Sequence, residues 1–224
     1  FLKIFLPAGF YYKTFMWPKS FWYKIYEPFI RKAAGLGTAS IKHDKERYEH
    51  KYEYCDLLIT GTGPAGLASA YAAAKNGAKV ILAEDKSRYG GSLLTSEVTI
   101  GNQSGKEWAE KIISELKSMP NVIVKNRSQV FGYYDHNMLV MSERVSDHLP
   151  KTEKYTPKQR LWYIRAKEVV ISSGSIERPL VFGNNDTPGV MLASGAKEYM
   201  KVYGVLVGRK PIIFTNNDSA YETA

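Results

Sequence analysis

The run Leu57-Leu58-Ile59-Thr60-Gly61-Thr62-Gly63-Pro64-Ala65-Gly66-Leu67 constrains the fold more than any other stretch of the chain. An apolar strand breaks into a glycine-rich turn, and an alanine-rich helix follows at once. This is the G-x-G-x-x-G spacing that seats a pyrophosphate on a helix N-terminus. Gly61 permits the tight exit from the strand, and Gly63 lets the backbone approach phosphates with no Cβ in the way. Gly66 allows the helix to pack closely on the strand, and Pro64 suits a first turn because it has no N–H to leave unpaired. The free N–H groups of that turn and the positive end of the helix dipole then face an anion. A glycine turn that only connects a strand to a helix has the same local form, so the neighbouring segments decide the reading.

Those neighbours agree with a nucleotide site. Asp56 to Thr60 reads as a buried parallel strand, and the helix predicted from about Pro64 to Asn76 places Leu67, Ala70, Tyr71 and Ala74 on one face. Gly77 sits where a C′ glycine belongs. A second strand, Lys79 to Ala83, ends on Glu84. An acid at that strand tip accepts hydrogen bonds from a ribose diol and suits a free 2′-hydroxyl, which favours NAD or FAD over NADP.

The loop Asp85-Lys86-Ser87-Arg88-Tyr89-Gly90-Gly91-Ser92 is expected over the same phosphate end, with Gly90-Gly91 permitting close approach and Ser92 supplying a hydroxyl. Ser104 and Glu107 form a capping box for a helix to about Ser118, carrying Trp108, Ile112 and Leu116 on one face, and Pro120 closes it. Asn121 to Lys125 reads as the third parallel strand. Gln129–Tyr134, Asn137–Val145 and Gln159–Ala166 then read as three antiparallel strands, with His136 as a turn residue. Glu168 to Ser172 returns to the parallel sheet and runs into Ser173-Gly174-Ser175. This order predicts an α/β fold: an FAD/NAD(P)-binding Rossmann-like three-layer domain with an antiparallel β-meander insertion.

Further on, a helix is predicted near Ser194–Tyr203 before Gly204. A new strand, Arg209 to Thr215, is expected to turn through Asn216-Asn217 into a helix capped by Asp218 or Ser219, the start of a second dinucleotide-type unit. The expected division is 1–50 as an aromatic arm and polar linker, 51–207 as the dinucleotide-binding domain, and 208–224 as the truncated start of the second unit. The chain begins without methionine and ends one strand into that unit, so a fragment of a longer protein is expected.

Composition narrows the function classes. Residues 1–37 are dense in aromatics, including Phe10, Tyr11, Tyr12, Phe15, Trp17, Phe21, Trp22, Tyr23, Tyr26 and Phe29, and such a segment needs a groove to lie in. A short helix near Lys19–Ala34, closed by Gly35, fits a packing arm, or an arm that contacts a subunit or covers the cofactor. The net charge of +9 is scattered, which suits an acidic partner subunit or a dinucleotide and argues against nucleic acid. A single cysteine, Cys55, excludes a disulfide framework and fits a reducing, cytoplasmic compartment; at the start of a strand it reads as a small buried residue. No run of about eighteen apolar residues spans a membrane. His43 and His50 lack ligand spacing, so no metal site is expected, and no residue reads as a catalytic acid, base or nucleophile.

Several segments together resemble the alpha subunit of heterotetrameric sarcosine oxidase. They are Ala8 to Pro18, Tyr26-Glu27-Pro28, Gly61 to Leu67, Val130 to Asn137, Glu177 to Phe182, Pro188 to Leu192 and Phe214 to Tyr221. The resemblance implies a complex with beta, gamma and delta subunits. It would oxidise N-methylglycine to glycine, reduce oxygen to peroxide and pass the methyl carbon to folate, with FAD and FMN in the complete complex and NAD on this chain. FAD on this chain, in the manner of another amine or imino-acid dehydrogenase, is the alternative, as is a scaffold subunit with a structural nucleotide. By the motif, Gly61, Gly63, Pro64, Ala65 and Gly66 would hold the phosphates, and Glu84 the adenosine ribose with Asp85 and Lys86 nearby. Val130 would meet adenine through its backbone, and Ser92 and Gly174 would close over the rest. The chain departs from the pattern at Ser172-Ser173-Gly174, where Ala-Thr-Gly is common. It departs again at Thr215 to Asp218, which lacks the glycines of a second fingerprint.

Overall fold

The structure, a computed structural model, describes residues 17–37, 39–185 and 187–223. Residues 1–45 and 46–224 form two separate units. In the first, a π-helical turn, Trp22–Tyr26, leads into helix α1, Glu27–Ala33. Gly35, at φ +69°, follows its end, in the left-handed conformation that glycine adopts without strain. Phe10, Tyr11, Tyr12 and Phe15 of the expected arm lie outside the described residues.

The second unit is built on one mixed sheet. Strand β1 (Tyr48–Thr60) is followed by helix α2 (Pro64–Lys75) and strand β2 (Val80–Ala83). A two-residue hairpin, β3 (Thr99–Ile100) and β4 (Gln103–Ser104), precedes helix α3 (Gly105–Ser118). Strands β5 (Val122–Lys125), β6 (Ser128–Tyr134), β7 (Met138–Arg144) and β8 (Gln159–Ile171) complete the sheet, and helix α4 (Ala193–Tyr203) follows. The strand order is β5-β2-β1-β8-β7-β6. β5, β2, β1 and β8 run parallel, while β6 and β7 are antiparallel to their neighbours.

Local chemistry accounts for most of the element ends. Ser104 and Glu107 form the capping box of α3, with the Ser104 hydroxyl accepting from the Glu107 N–H and the Glu107 carboxylate accepting from the Ser104 N–H. Gly77 (φ +83°) ends α2 and Gly204 (φ +66°) ends α4. His136 adopts φ +58° in the turn between β6 and β7, and its carbonyl accepts from Arg165 at 2.7 Å.

Four expectations need correction. The third meander strand and the return strand are one element: β8 pairs with β7 through residues 159–165 and with β1 along its whole length. β1 begins at Tyr48, inside the stretch expected as linker, because Tyr48 to His50 find partners on β8 at Gln159 to Leu161. Residues 209–215 form no strand: alongside them there is no pairing segment among the described residues. The short helical segment Asp218–Thr223 takes its first hydrogen bonds from Asn217, whose Oδ1 accepts from the Ser219 N–H at 2.9 Å, rather than from Asp218 or Ser219.

Two cores make the three layers. Ile59, Val80 and Leu82 pack against Leu67, Ala70, Ile112 and Leu116 of the helices. Leu58, Ile81 and Ala83, on the other side of the parallel strands, pack against Leu139, Met141, Trp162 and Ile164 of the meander. The sheet therefore folds back on itself along β1 and β8. Each fully buried Leu or Ile here stabilises the fold by ~1.5–3 kcal/mol.

Candidate dinucleotide site

The glycine turn connects β1 to α2, and each glycine has a separate steric role. A Cβ on Gly61 (φ +94°) would lie 2.4 Å from the Ser172 carbonyl oxygen, and one on Gly66 would lie 2.0 Å from the Gly61 carbonyl oxygen. Both contacts are impossible, so strand and helix approach only because both positions are glycine. A Cβ on Gly63 would meet nothing within 4 Å. Gly63 also lines a cleft beside the turn. Helix α2 has no side-chain N-cap, and Pro64 occupies its first turn. Its first N–H groups are thus available to an anion.

Gly61, Gly63, Pro64, Ala65, Glu84 and Asp85 line a single cleft. Lys86, Ser92, Val130 and Gly174 line it too. Gly66 sits beneath it, as the packing glycine. At about 2710 Å³ the cleft exceeds the ~300–1,000 Å³ of a small-ligand pocket and is an open trough. Residues 175–182, 189–194 and 206–217, with much of α4, also line it. That helix is held to the loop after β2 by Lys86–Glu198 (3.1 Å), by Arg88 donating to the Val202 carbonyl (3.0 Å) and by Lys201–Glu97 (2.6 Å). Glu177 accepts the Ala193 and Ser194 N–H groups at its N-terminus.

Glu84 is buried, and its carboxylate is already engaged. Oε2 accepts the Thr62 N–H at 3.0 Å and the Thr62 hydroxyl, and Oε1 accepts the Lys86 N–H at 3.0 Å. Three donors fill three of the roughly four acceptor positions of a carboxylate. Burial pushes the Glu84 carboxyl above the usual carboxylate range, and a hydrogen bond with Asp85 adds to the rise, against the lowering effect of Thr62 and Lys86.

Thr62, Ser172, Glu177 and Phe131 contribute to this architecture without standing out in the sequence. Ser172 donates to the Thr60 carbonyl at 2.7 Å and to that of Gly61 at 3.1 Å, fixing the turn from β8. Phe131, the bulged residue between Val130 and Gly132, stands exposed on the cleft wall. The signals available were a hydroxyl residue inside the glycine turn and an aromatic beside a strand glycine. Cys55 is fully buried, and burial pushes its thiol up to about 12, so it acts as a packing residue.

A trough at the carboxyl ends of parallel strands, floored by a G-x-G-x-x-G turn and an acid at the next strand tip, defines an FAD/NAD(P)-binding Rossmann-like domain. A family model described as FAD dependent oxidoreductase matches residues 56–152. The crystal structure of L-proline dehydrogenase from P. horikoshii shares the fold, with a TM-score of 0.58 at 24% identity, over 77% of this chain and 33% of that one. Over 223 residues, all of this chain, the sequence is 49% identical to sarcosine oxidase subunit alpha of Rhizobium meliloti (strain 1021). It is 38% identical over 189 residues, 84% of this chain, to the subunit of the same name from Corynebacterium sp. (strain P-1). The chain spans 23% and 20% of the lengths of these two relatives. Over its own length the chain is thus similar to sarcosine oxidase subunit alpha, on an FAD/NAD(P)-binding Rossmann-like fold. No helix of the described residues is long and apolar enough to cross a membrane.

Proposed function

We propose that the cleft between the glycine turn and α4 holds NAD and that the complete protein is a sarcosine oxidase-like alpha subunit. In this reading it works in the cytoplasm with beta, gamma and delta subunits. N-methylglycine is oxidised to glycine, oxygen is reduced to hydrogen peroxide and the one-carbon unit passes to tetrahydrofolate, with FAD and FMN elsewhere in the complex. A nicotinamide or flavin dinucleotide supplies hydride-accepting chemistry when bound. This chain's residues bind and orient it. The first turn of α2 receives the pyrophosphate, and Glu84, held by Thr62, takes a ribose hydroxyl. The Val130 backbone borders adenine, and Ser92 and Gly174 close over the remainder.

The observation that carries this reading is the open space at Gly63, beside a helix N-terminus with no side-chain cap. It also provides the test. Gly63→Ala adds a methyl group that collides with nothing in the protein, so a loss of affinity reports on the ligand alone. Titration of NAD into the complete subunit is expected to show binding weakened by about tenfold or more, ~1.4 kcal/mol per tenfold, in Gly63→Ala. Equal affinity in both proteins rejects the reading.

FAD in the same cleft is the second reading, favoured by the match to FAD dependent oxidoreductases over residues 56–152. The two are separated by the absorption spectrum of the subunit purified alone, since only a flavin gives a yellow protein.

A further inference from the structure

The outer face of the meander is turned away from both cores. The strand register puts Tyr52, Tyr163, Val140 and Gly132 in one row. His50, Leu161, Ser142 and Gln129 form the next, and Tyr54, Arg165, Met138 and Tyr134 the third. No position in these rows is acidic. The strands do carry Glu49, Glu53 and Glu143, but all on the opposite face. There each is paired: Glu49 with Arg160, Glu53 with Lys79, and Glu143 with both Lys125 and Arg160. Asp56, at the margin, is held by Lys167 at 2.8 Å, and Glu168 lies beyond the patch, opposite Leu57.

The face is aromatic, with Val140 buried beneath its side chains and the tyrosines at its margins exposed. Tyr52 is 76% exposed and Tyr134 52%. The Tyr52 and Tyr163 rings stack at 5.0 Å, with His50 against the other side of Tyr163 at 5.8 Å. At one end of the face lies a recess of about 410 Å³ lined by Asp85, Arg127, Gln129, Ser142, Arg144 and Gln159. Arg127 is fixed there at φ +50°. Its N–H donates to the Lys86 carbonyl, and its own carbonyl accepts from the Arg144 N–H. Its guanidinium has no hydrogen-bond or ion-pair partner among the described residues. The Arg144 guanidinium donates only to the Asp85 carbonyl, and the Asp85 carboxyl is engaged with Glu84.

We propose that this outer face docks an acidic surface of a partner polypeptide, with a carboxylate side chain seated between Arg127 and Arg144 and apolar side chains on the Tyr52–Tyr163 stack. Guanidiniums match carboxylates bidentately, and exposed tyrosines beside arginines are what interface centres are enriched in. Nucleic acid fits less well. A phosphate backbone is held by about 6–10 cationic contacts, whereas this face offers Arg127, Arg144 and Arg165, the last committed to the His136 carbonyl. The inference rests on the multi-subunit part of the reading above and is independent of which nucleotide is bound.

The test uses the complete protein purified with whatever it assembles with, carrying Tyr52→p-benzoylphenylalanine, irradiated and mapped by mass spectrometry. The expected result is a cross-link to a different polypeptide at a segment containing Asp or Glu. Arg127→Glu with Arg144→Glu is expected to cut the cross-link yield by about tenfold or more, and Arg127→Lys with Arg144→Lys to retain most of it. The lysine pair separates charge from a folding defect. Cross-links to a second copy of this chain, to a segment without acids, or to no protein overturn the proposal, as does an unchanged yield in the glutamate pair. Binding of a fluorescein-labelled oligouridylate that the glutamate pair abolishes overturns it in favour of nucleic acid. The mass of the intact complex reports separately on whether any assembly exists, and NAD titration on the nucleotide reading.

Discussion

Thr62 closes on Glu84 from two directions, its backbone N–H and its hydroxyl both donating to Oε2. The same hydroxyl accepts the Gly90 N–H at 3.1 Å. One side chain inside the glycine turn therefore joins the tip of β2 to the loop that follows it, and Thr62 is fully buried while doing so. Thr62→Val keeps the shape but leaves the Gly90 N–H unpaired and removes a donor from a buried carboxylate. A loss of about 1–3 kcal/mol is expected in urea unfolding, with Thr62→Ser retaining most of the stability. A neutral Thr62→Val shows that the contact adds nothing.

The three glycines of the turn separate into two kinds by steric accounting. Gly61→Ala and Gly66→Ala each force a methyl group onto a carbonyl oxygen, at 2.4 and 2.0 Å, and Gly61 is also at φ +94°. Overpacking of this kind costs about 1–3 kcal/mol, with backbone strain adding to it at Gly61. Both variants are expected to lower the thermal midpoint, whereas Gly63→Ala is expected to leave it in place. A midpoint drop in Gly63→Ala equal to that in Gly66→Ala contradicts the open space at Gly63.

These distinctions mark how far the sequence could be read. The glycine spacing, the Ser104–Glu107 box and the stops at Gly77 and Gly204 depend on residues close together in the chain, and each was legible. The dual pairing of β8 was not, because a strand's second neighbour is chosen by register over a long sequence separation, and no local signal reports it. The same gap hid the extension of β1 to Tyr48. It also made Lys210 to Thr215 read as a strand, since an apolar run has the composition of one whether or not a partner lies beside it. In the cleft, the backbone-defined positions were legible, while Thr62 and Ser172 were not: their roles come from hydrogen bonds across the fold. Glu84 was legible as an acid at a strand tip, but not as one already bound to Thr62 and Lys86.

Glu84 sets a pH dependence whose sign follows from its raised pKa. Between the ordinary 4.5 and the higher native value, the folded chain holds a proton that the unfolded chain has lost. Its contribution is fully present below the ordinary value and is lost as pH rises through the native one. The stability of wild type relative to Glu84→Gln is thus expected to fall with rising pH above 4.5 and then level off, read from urea unfolding across that range. A difference that grows with pH shows instead that the native carboxylate is the favoured form.

Glu143 predicts the opposite slope on the other side of the same sheet. Its carboxylate is buried against Trp162 and accepts Lys125 Nζ at 2.8 Å, Arg160 Nη1 at 2.9 Å and Trp162 Nε1 at 2.7 Å. Burial alone pushes the group upward, but Lys125, Trp162 and Arg160 together outweigh it and hold it below the ordinary 4.5. The stability it contributes is present above 4.5 and is lost as pH falls through the lower native value. Glu143→Gln leaves two cations facing a neutral amide in a mostly dry site. Removing one member of a buried ion pair costs about 3–5 kcal/mol, and the partial exposure of Lys125 and Arg160 places this case near the lower end. Trp162 fluorescence gives a probe within the cluster. Acid titration of wild type is expected to show a loss of stability below pH 4.5 that is flattened in Glu143→Gln, and parallel acid limbs in the two proteins contradict the assignment.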